Sequence, residues 1–491
     1  MTSKRVVAVD LGATSGRVMV SRVGVEPDVL ELTEVHRFPN GARRADDGSL
    51  RWDLERIRRE VTIGIRTAAQ GGPVEGIGID AWAVDYGLLD ADHRLLEAPY
   101  SHRDSRTGGV LEKVVAEIGE SELYDVTGLQ QLPFNTLYQL VAARDSTGLT
   151  TARTLLLLPD LLGYWLTGEV GAERTNASTT QLYGAVSHEW AEDLVDRVGL
   201  PTDILPPLRD AGSLVGTLLP EVARDLGVAG DVPVIAVGSH DTASAVVGVP
   251  AAAEPFGYVS SGTWSLVGLE LPEPMLTEQA RIAGFTNEGG VDGTIRFLKN
   301  VMGLWVLSEC QRAWDLELAD LLADAAQVPV LTTLIDIDDV RLLPPGAETD
   351  TMPVRVAALA AEAGEPVPST PGEVARCVLD SLALACRRTV RDAARIADVG
   401  LSVLHVVGGG SQNAMLCQLT ADACGLPVLA GPKEAAALGN VLGQARTLGV
   451  QLPGLADMRA LLRRTQALRR FEPQSDVDWG AAESRLPARG R

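Results

Sequence analysis

The apolar run Val6-Val7-Ala8-Val9 stops at Asp10-Leu11-Gly12-Ala13-Thr14-Ser15-Gly16 and resumes after Arg17 with Val18-Met19-Val20. This predicts two strands joined by a turn rich in Gly, Ser and Thr. The pattern returns about half a chain later, where Gly257-Tyr258-Val259 enters Ser260-Ser261-Gly262-Thr263 and Trp264-Ser265-Leu266-Val267 leaves it. In both turns backbone N–H groups and hydroxyls converge without bulky side chains, which suits an anion. Two such turns facing each other would hold the phosphates of one nucleotide between two lobes. Neither ends in the Gly-Lys-Ser/Thr of a Walker loop.

Between and beyond these turns, strand-like runs alternate with helical spacing, the pattern of an α/β protein. Trp52 to Val61 reads as an amphipathic helix. Gly76-Ile77-Gly78-Ile79-Asp80 reads as a buried strand feeding a loop with Trp82 and Asp85, followed by a strand at 86–90. A helical stretch runs to Leu166 and stops at Thr167-Gly168, and Val232 to Gly238 reads as a strand immediately before Ser239-His240-Asp241-Thr242. In the second half, Lys299 to Trp305 reads as helix-like, 344–372 as a surface excursion, and Val374 to Ala397 as a helix with one buried face. Leu404-His405-Val406-Val407 then enters Gly408-Gly409-Gly410-Ser411-Gln412-Asn413 and a helix from Ala414 to Ala423. A strand passing through glycines into a helix brings N–H donors and close backbone approach, which suits a nucleotide's sugar and α-phosphate.

Composition narrows the class. At 491 residues the chain exceeds one ordinary core and predicts about two to four domains. With 46% hydrophobic and 22% charged residues it has the profile of a packed protein. Its net charge of −22 argues against nucleic acid or an anionic membrane as partner. The five cysteines form no Cys-x-x-Cys pair, which points to a reducing compartment. Met1 to Arg5 leads straight into the first strand without the apolar core of a signal peptide, so a cytoplasmic location is expected. The longest candidate for a membrane-length apolar run, around Val232 to Ala253, is broken by Gly238-Ser239-His240-Asp241.

At four places the chain resembles the FGGY carbohydrate kinases: Asp10 to Arg17, Ser239-His240-Asp241-Thr242, Ser261-Gly262-Thr263-Trp264, and Gly408 to Asn413. Further similar segments are Arg103 to Thr107, Phe134 to Leu140, Thr175 to Gln181, Leu298 to Trp305 and Ala421 to Gly425, in one order over nearly the whole chain. The resemblance implies a two-lobed actin-like, ribonuclease H-like α/β fold with a central cleft. The N-terminal lobe would comprise 1–248, binding sugar and phosphate, and the C-terminal lobe 249–491, binding the nucleotide. It implies transfer of the γ-phosphoryl group of ATP, with Mg²⁺, to the C1 hydroxyl of a ketose, expected to be L-rhamnulose, by a monomer or homodimer.

The chemistry requires a carboxylate to take the proton of a poorly nucleophilic sugar hydroxyl. Asp241, just past an apolar strand and beside small Gly238 and Ser239, is the candidate, and it matches the family's proton acceptor. Asp10, ending the first strand, suits Mg²⁺ held through water. By the same resemblance Ala13, Thr14, Ser15, Gly16 and Arg17 supply donors and charge to the β- and γ-phosphates, and Thr263, Gly409 and Gly410 contact the nucleotide. Ala83, His240, Thr242 and Asn300 contact the sugar, while Asp85 and Trp82 either shape the pocket or serve the core. His405 reads as a core histidine. Ala83 where glycine is common, His102 where tyrosine is usual and Ser308 where glutamine is frequent are departures that bear on the sugar and the nucleotide contact. They leave L-fuculose, ribulose and xylulose as alternative acceptors, since one methylene is worth only about 1–3 kcal/mol of discrimination. A noncatalytic ATP-driven switch on the same fold is the reading from another class, and Asp241 beside His240 argues against it.

Overall fold

A computed structural model describes residues 3–252, 255–347, 349–474 and 477–486. The chain forms two compact units. The first comprises 1–252, 270–297 and 435–466, and the second 253–269, 298–434 and 467–491. The units are therefore discontinuous, where the sequence suggests one cut at 248/249. The difference arises because the helix Ala435–Thr447 packs an apolar face on the first unit's sheet, and 270–297 bonds to that unit through Asn287 to Gly128, Gly289 to Ser178 and Arg296 to Thr175.

That sheet has six strands in the order Leu214–Thr217, Pro233–Ile235, Gly76–Ala81, Lys4–Leu11, Ser15–Val25, Asp28–Pro39. Lys4–Leu11 runs parallel to Gly76–Ala81 and antiparallel to Ser15–Val25. Both faces of the first strand are covered, which is why it reads as an unbroken apolar run. Val7, Val9 and Leu11 pack with Ile57, Val61 and Ile65 of the helix Leu54–Gln70, which Asp53 caps at its N-terminus. Val6 and Ala8 pack on the opposite face with Leu438, Val441 and Leu442 of the helix Ala435–Thr447. That helix also crosses Asp241–Val247 so closely that a Cβ on Gly439 would stand 1.8 Å from the Ser244 carbonyl oxygen.

In the second unit Gly257–Ser261 pairs antiparallel with Trp264–Leu271 and parallel with Leu404–Val407, which continues to Val428–Ala430 and Arg469–Phe471. The core gathers along one face of the helix Pro371–Ala397, whose Thr370 and Glu373 form a capping box. His405 is buried in its strand against the Phe256 ring, the core position expected for it.

Two segments differ from expectation. Lys299 to Trp305 is not helical: Ile295–Met302 is a strand and the helix begins only at Trp305. The apolar spacing of Val301, Met302, Leu304 and Trp305 imitates a helix, but Gly303 sits where a Cβ would be 2.5 Å from Thr263 O, and the chain turns there. The 344–372 stretch is not only a surface excursion. It contains the helix Met352–Glu362, whose Met352, Val356 and Ala360 are fully buried in the core, a face hidden by the surrounding Pro, Gly and Glu. Among the described residues no helix is long and apolar enough to cross a membrane.

Candidate functional site

Within the first unit, three chain segments end side by side at the carboxyl ends of parallel strands, where ligands of open α/β sheets bind. Asp10 is the register partner of Asp80, and Ala81 bridges His240 in parallel. Ala81 N donates to Ser239 O (2.8 Å) and Trp82 N to Leu11 O (3.0 Å), tying the three ends together. Asp10, the turn at 12–16, Ala83 and the His240–Thr242 step are thus brought to one edge of one sheet.

The first turn is held by its own carbonyls. Gly12 N donates to Ser15 O, Asn40 N to Thr14 O and Asn40 Nδ2 to Gly12 O, at 2.8–2.9 Å. Asn40 carries no motif that would single it out in the sequence. Arg17 Nε pairs with Asp10 Oδ2 at 2.9 Å, a cross-strand contact dictated by the Asp10–Arg17 register. The cation offered by this turn therefore also neutralises the strand-end carboxylate.

Asp80 carries no sequence signal beyond ending a strand, yet it is a principal feature of this edge. Its Oδ2 accepts from Asn440 Nδ2 at 2.6 Å, and its buried Oδ1 has no hydrogen-bond partner. Burial, with the charges of Asp10 and Asp241, pushes its carboxyl well above the usual range. The approach of Asn440 is allowed by Gly78, where a Cβ would meet its Oδ1 at 2.5 Å.

Asp241 is the first residue of the short helix that follows, and His240 is its N-cap. The Asp241 side chain is 30% exposed, so the carboxylate reaches solvent, and its Oδ1 accepts from Thr242 Oγ1 at 3.0 Å. His240 is buried, its Nε2 3.5 Å from Asp241 Oδ1. The preceding Ser239 is fixed by Glu173, whose Oε2 accepts from Ser239 N and Oγ, both at 2.9 Å, and whose Oε1 accepts from Thr175 N. Burial raises the Glu173 carboxyl, and burial with the nearby Glu173 charge raises Asp160 to about 8. Behind His240 lie Glu288 and Arg296. Burial opposes the charge of Glu288, but its neighbours, the Arg296 guanidinium first among them, hold its carboxyl below the ordinary value. Glu173, Glu288 and Arg296 carry no motif, and polar neighbours such as Arg174, Thr175 and Asn287 leave the two glutamates unmarked in the sequence.

Ala83 is half-buried in the loop after Gly76–Ala81. Its neighbour Val84 has φ +67°, a conformation costing a β-branched residue about 1–3 kcal/mol. Thr136 Oγ1 and Gln139 Nε2 hold its carbonyl at 2.7 and 3.2 Å. Asp85 belongs to the interior: it accepts from the Trp52 and Trp82 indoles (2.7 and 2.9 Å) and from Gln139 (3.2 Å), with His102 Nδ1 at 2.8 Å. Asp85 and Trp82 thus serve as a buried brace, and His102 is part of it.

The second unit repeats the arrangement. Thr263 lies in the turn between Gly257–Ser261 and Trp264–Leu271, and Gly408–Gly410 follows the parallel neighbour Leu404–Val407. Gly408 has φ +81°, and a Cβ on Gly410 would meet Ser261 Oγ at 2.0 Å, so the glycine loop rests directly on the turn. Gly409 is exposed and open. Asn300 is half-buried on the strand Ile295–Met302, and Ser308 is exposed on the following helix.

No group of three or more His, Cys, Asp or Glu side chains able to cage a metal occurs among the described residues. Magnesium typically keeps several waters and phosphate oxygens and takes only one or two carboxylates. Asp10, with the partnerless Asp80 Oδ1 beside it in register, fits that kind of site.

Comparison with known proteins accounts for both units. Residues 5–248 match the N-terminal domain, and 257–448 the C-terminal domain, of the FGGY family of carbohydrate kinases. The chain is 43% identical to a rhamnulokinase of Pectobacterium carotovorum, over 99% of this chain and 97% of that one. It is 40% identical to a rhamnulokinase of Bacteroides thetaiotaomicron, over 97% of each. Among solved structures it is similar to a gluconate kinase from Lactobacillus acidophilus, with a TM-score of 0.79 and 15% identity over 98% of this chain and 95% of that one. It is also similar to Plasmodium falciparum glycerol kinase with ADP, with a TM-score of 0.78 and 15% identity over 99% and 97%.

Proposed function

The chain belongs to the FGGY family of carbohydrate kinases, with their two-domain actin-like fold, and from that premise we propose that it transfers the γ-phosphoryl group of ATP to the C1 hydroxyl of L-rhamnulose, giving L-rhamnulose 1-phosphate and ADP. The observation that carries the reading is Asp241: a solvent-reaching carboxylate at the carboxyl ends of the sheet, in a chain similar from end to end to rhamnulokinases.

Asp241 accepts the C1 hydroxyl proton as the sugar oxygen bonds to the γ-phosphorus and the bond from that phosphorus to the β,γ-bridging oxygen breaks. Thr242 Oγ1, donating to Asp241 Oδ1, leaves Oδ2 for the acceptor alcohol. His240, Ala83 and Thr242 orient the sugar, and Asn300 of the second unit is assigned to it as well. The turn Ala13–Arg17 supplies backbone donors and the Arg17 charge to the phosphates. Thr263, Gly409 and Gly410 are assigned to the nucleotide. Asp10 would hold Mg²⁺ through water, and the ion would neutralise charge on the β- and γ-oxygens.

The test is sugar-dependent ADP release over L-rhamnulose, L-fuculose, ribulose and xylulose, with the product located by ³¹P and ¹³C NMR. A kcat/KM highest for L-rhamnulose and phosphate on C1 support the proposal. A higher value for another ketose, or phosphate on another carbon, overturns it.

A further inference from the structure

The imidazole of His240 lies against three charged side chains, and the reaction described above uses only one of them. Arg296 is fully buried, with Nη1 2.8 Å from Glu288 Oε2 and 3.0 Å from His240 Nδ1. Its Nε donates to Gly289 O at 2.9 Å and its Nη2 to Thr175 O at 3.1 Å, so the guanidinium is fixed from three sides. Glu288 Oε2 is 3.2 Å from the same ring nitrogen, and across the ring Nε2 faces Asp241 Oδ1 at 3.5 Å.

A guanidinium stays protonated and can only donate. Its contact with Nδ1 therefore requires a lone pair there, which places the neutral ring's hydrogen on Nε2, toward Asp241. In that form the Nδ1 lone pair also faces Glu288 Oε2 at 3.2 Å, but Arg296 Nη1, 3.0 Å from the one and 2.8 Å from the other, sets its positive charge against both; in the other tautomer Nδ1–H would donate to Glu288, and a bare Nε2 lone pair would face the Asp241 carboxylate and repel it. Stability does not account for the pair, because a buried ion pair is often no better than apolar residues of similar volume. We propose that Arg296 and Glu288 are positioning residues that hold His240 in its Nε2–H form and through it aim Asp241 at the acceptor alcohol. The inference rests on Asp241 being the proton acceptor.

Two measurements test it. In ¹⁵N-histidine-labelled protein, with the His240 signals identified by their loss in His240→Gln, the two-bond ¹⁵N–¹H pattern at neutral pH is expected to show hydrogen on Nε2. Hydrogen on Nδ1 overturns the proposal, whatever Asp241→Asn does. An Nε2–H ring in an enzyme whose Asp241→Asn variant turns over normally overturns instead the reading of Asp241 as base. In the second measurement, Arg296→Met, which removes the donor to Nδ1, is expected to move hydrogen to Nδ1, toward Glu288, and lower kcat on the order of 10²-fold, with KM for ATP within about threefold. Because a buried Glu288 without a full partner could impair folding, the charge-free double variant R296M/E288M is the companion. If it is folded by circular dichroism, it is expected to show the same loss of kcat, and wild-type kcat in that folded variant overturns the proposal. If it does not fold, the wild-type tautomer decides.

Discussion

Two glycines on one helix are expected to respond to the same substitution with opposite signs. Gly439 and Gly443 both lie within Ala435–Thr447. Helix propensity alone favours alanine at either by about 1 kcal/mol. At Gly443 the nearest atom to an added Cβ is Val237 Cγ1 at 3.7 Å, an ordinary contact, so Gly443→Ala should be stabilising by up to about 1 kcal/mol. At Gly439 the Cβ would stand 1.8 Å from Ser244 O and 2.7 Å from Ser244 C. Both are backbone atoms with no rotamer to change, so the two helices would have to separate by about 1.5 Å to restore a normal carbon–oxygen contact. Overpacking of this kind costs about 1–3 kcal/mol and sometimes more, which outweighs the propensity gain. Because the 1.8 Å contact puts the cost at the upper end of that range, net destabilisation of up to about 2 kcal/mol is expected for Gly439→Ala. Activity should fall with it, because the displaced helix begins at Asp241 and the neighbouring Asn440 holds Asp80. The assay is the urea midpoint of each variant at constant slope, with ADP release measured beside it. Equal shifts for the two variants, or a Gly439→Ala protein at least as stable as the parent, would refute the close-approach argument.

Other consequences follow from buried charges. Asp160, raised to about 8 from an ordinary value of 3.8, binds its proton in the folded chain over a range where the unfolded chain has released it. Its contribution to stability is therefore complete below about pH 4 and is lost as pH rises through about 8. Asp160→Asn should flatten the fall in melting temperature between pH 5 and 9, and an unchanged slope would count against the assignment. Arg459 and Glu270 are both buried, with Nη2–O distances of 2.7–2.8 Å, so Arg459→Met should destabilise by about 3–5 kcal/mol in urea unfolding. A loss under 1 kcal/mol would show that Glu270 keeps adequate partners.

What the sequence reveals and conceals divides along physical lines. Strands buried on both faces, such as Val6–Val9, announce themselves because every position is apolar, and glycine-rich turns mark where backbone must approach a ligand or another chain segment. The two turns and the His240–Thr242 step were legible for that reason. The 299–305 segment reads as helix from sequence because a strand followed by a tight turn and a helix start places apolar residues at helical spacing. The Met352–Glu362 helix was masked by Pro, Gly and Glu on either side of a short apolar face. Asp80, Glu173, Glu288 and Arg296 do not stand out in the sequence because their roles depend on partners far away along the chain, as with Asp80 and Asn440 or Glu173 and Ser239. Asp85 shows the converse: beside a tryptophan near the site it resembles a pocket residue, and only its four neighbours, Trp52, Trp82 and Gln139 buried and His102 partly so, reveal a brace.

The proposal as a whole depends on Asp241 taking the proton of the acceptor alcohol, and its amide isostere addresses that step with the least disturbance of shape. Steady-state ADP release with L-rhamnulose, paired with calorimetric binding of ATP, measures it directly. For Asp241→Asn the account predicts turnover lower by about 10²–10⁴-fold with ATP affinity retained. Sugar-dependent turnover near the parent rate in a variant that still binds ATP would contradict it.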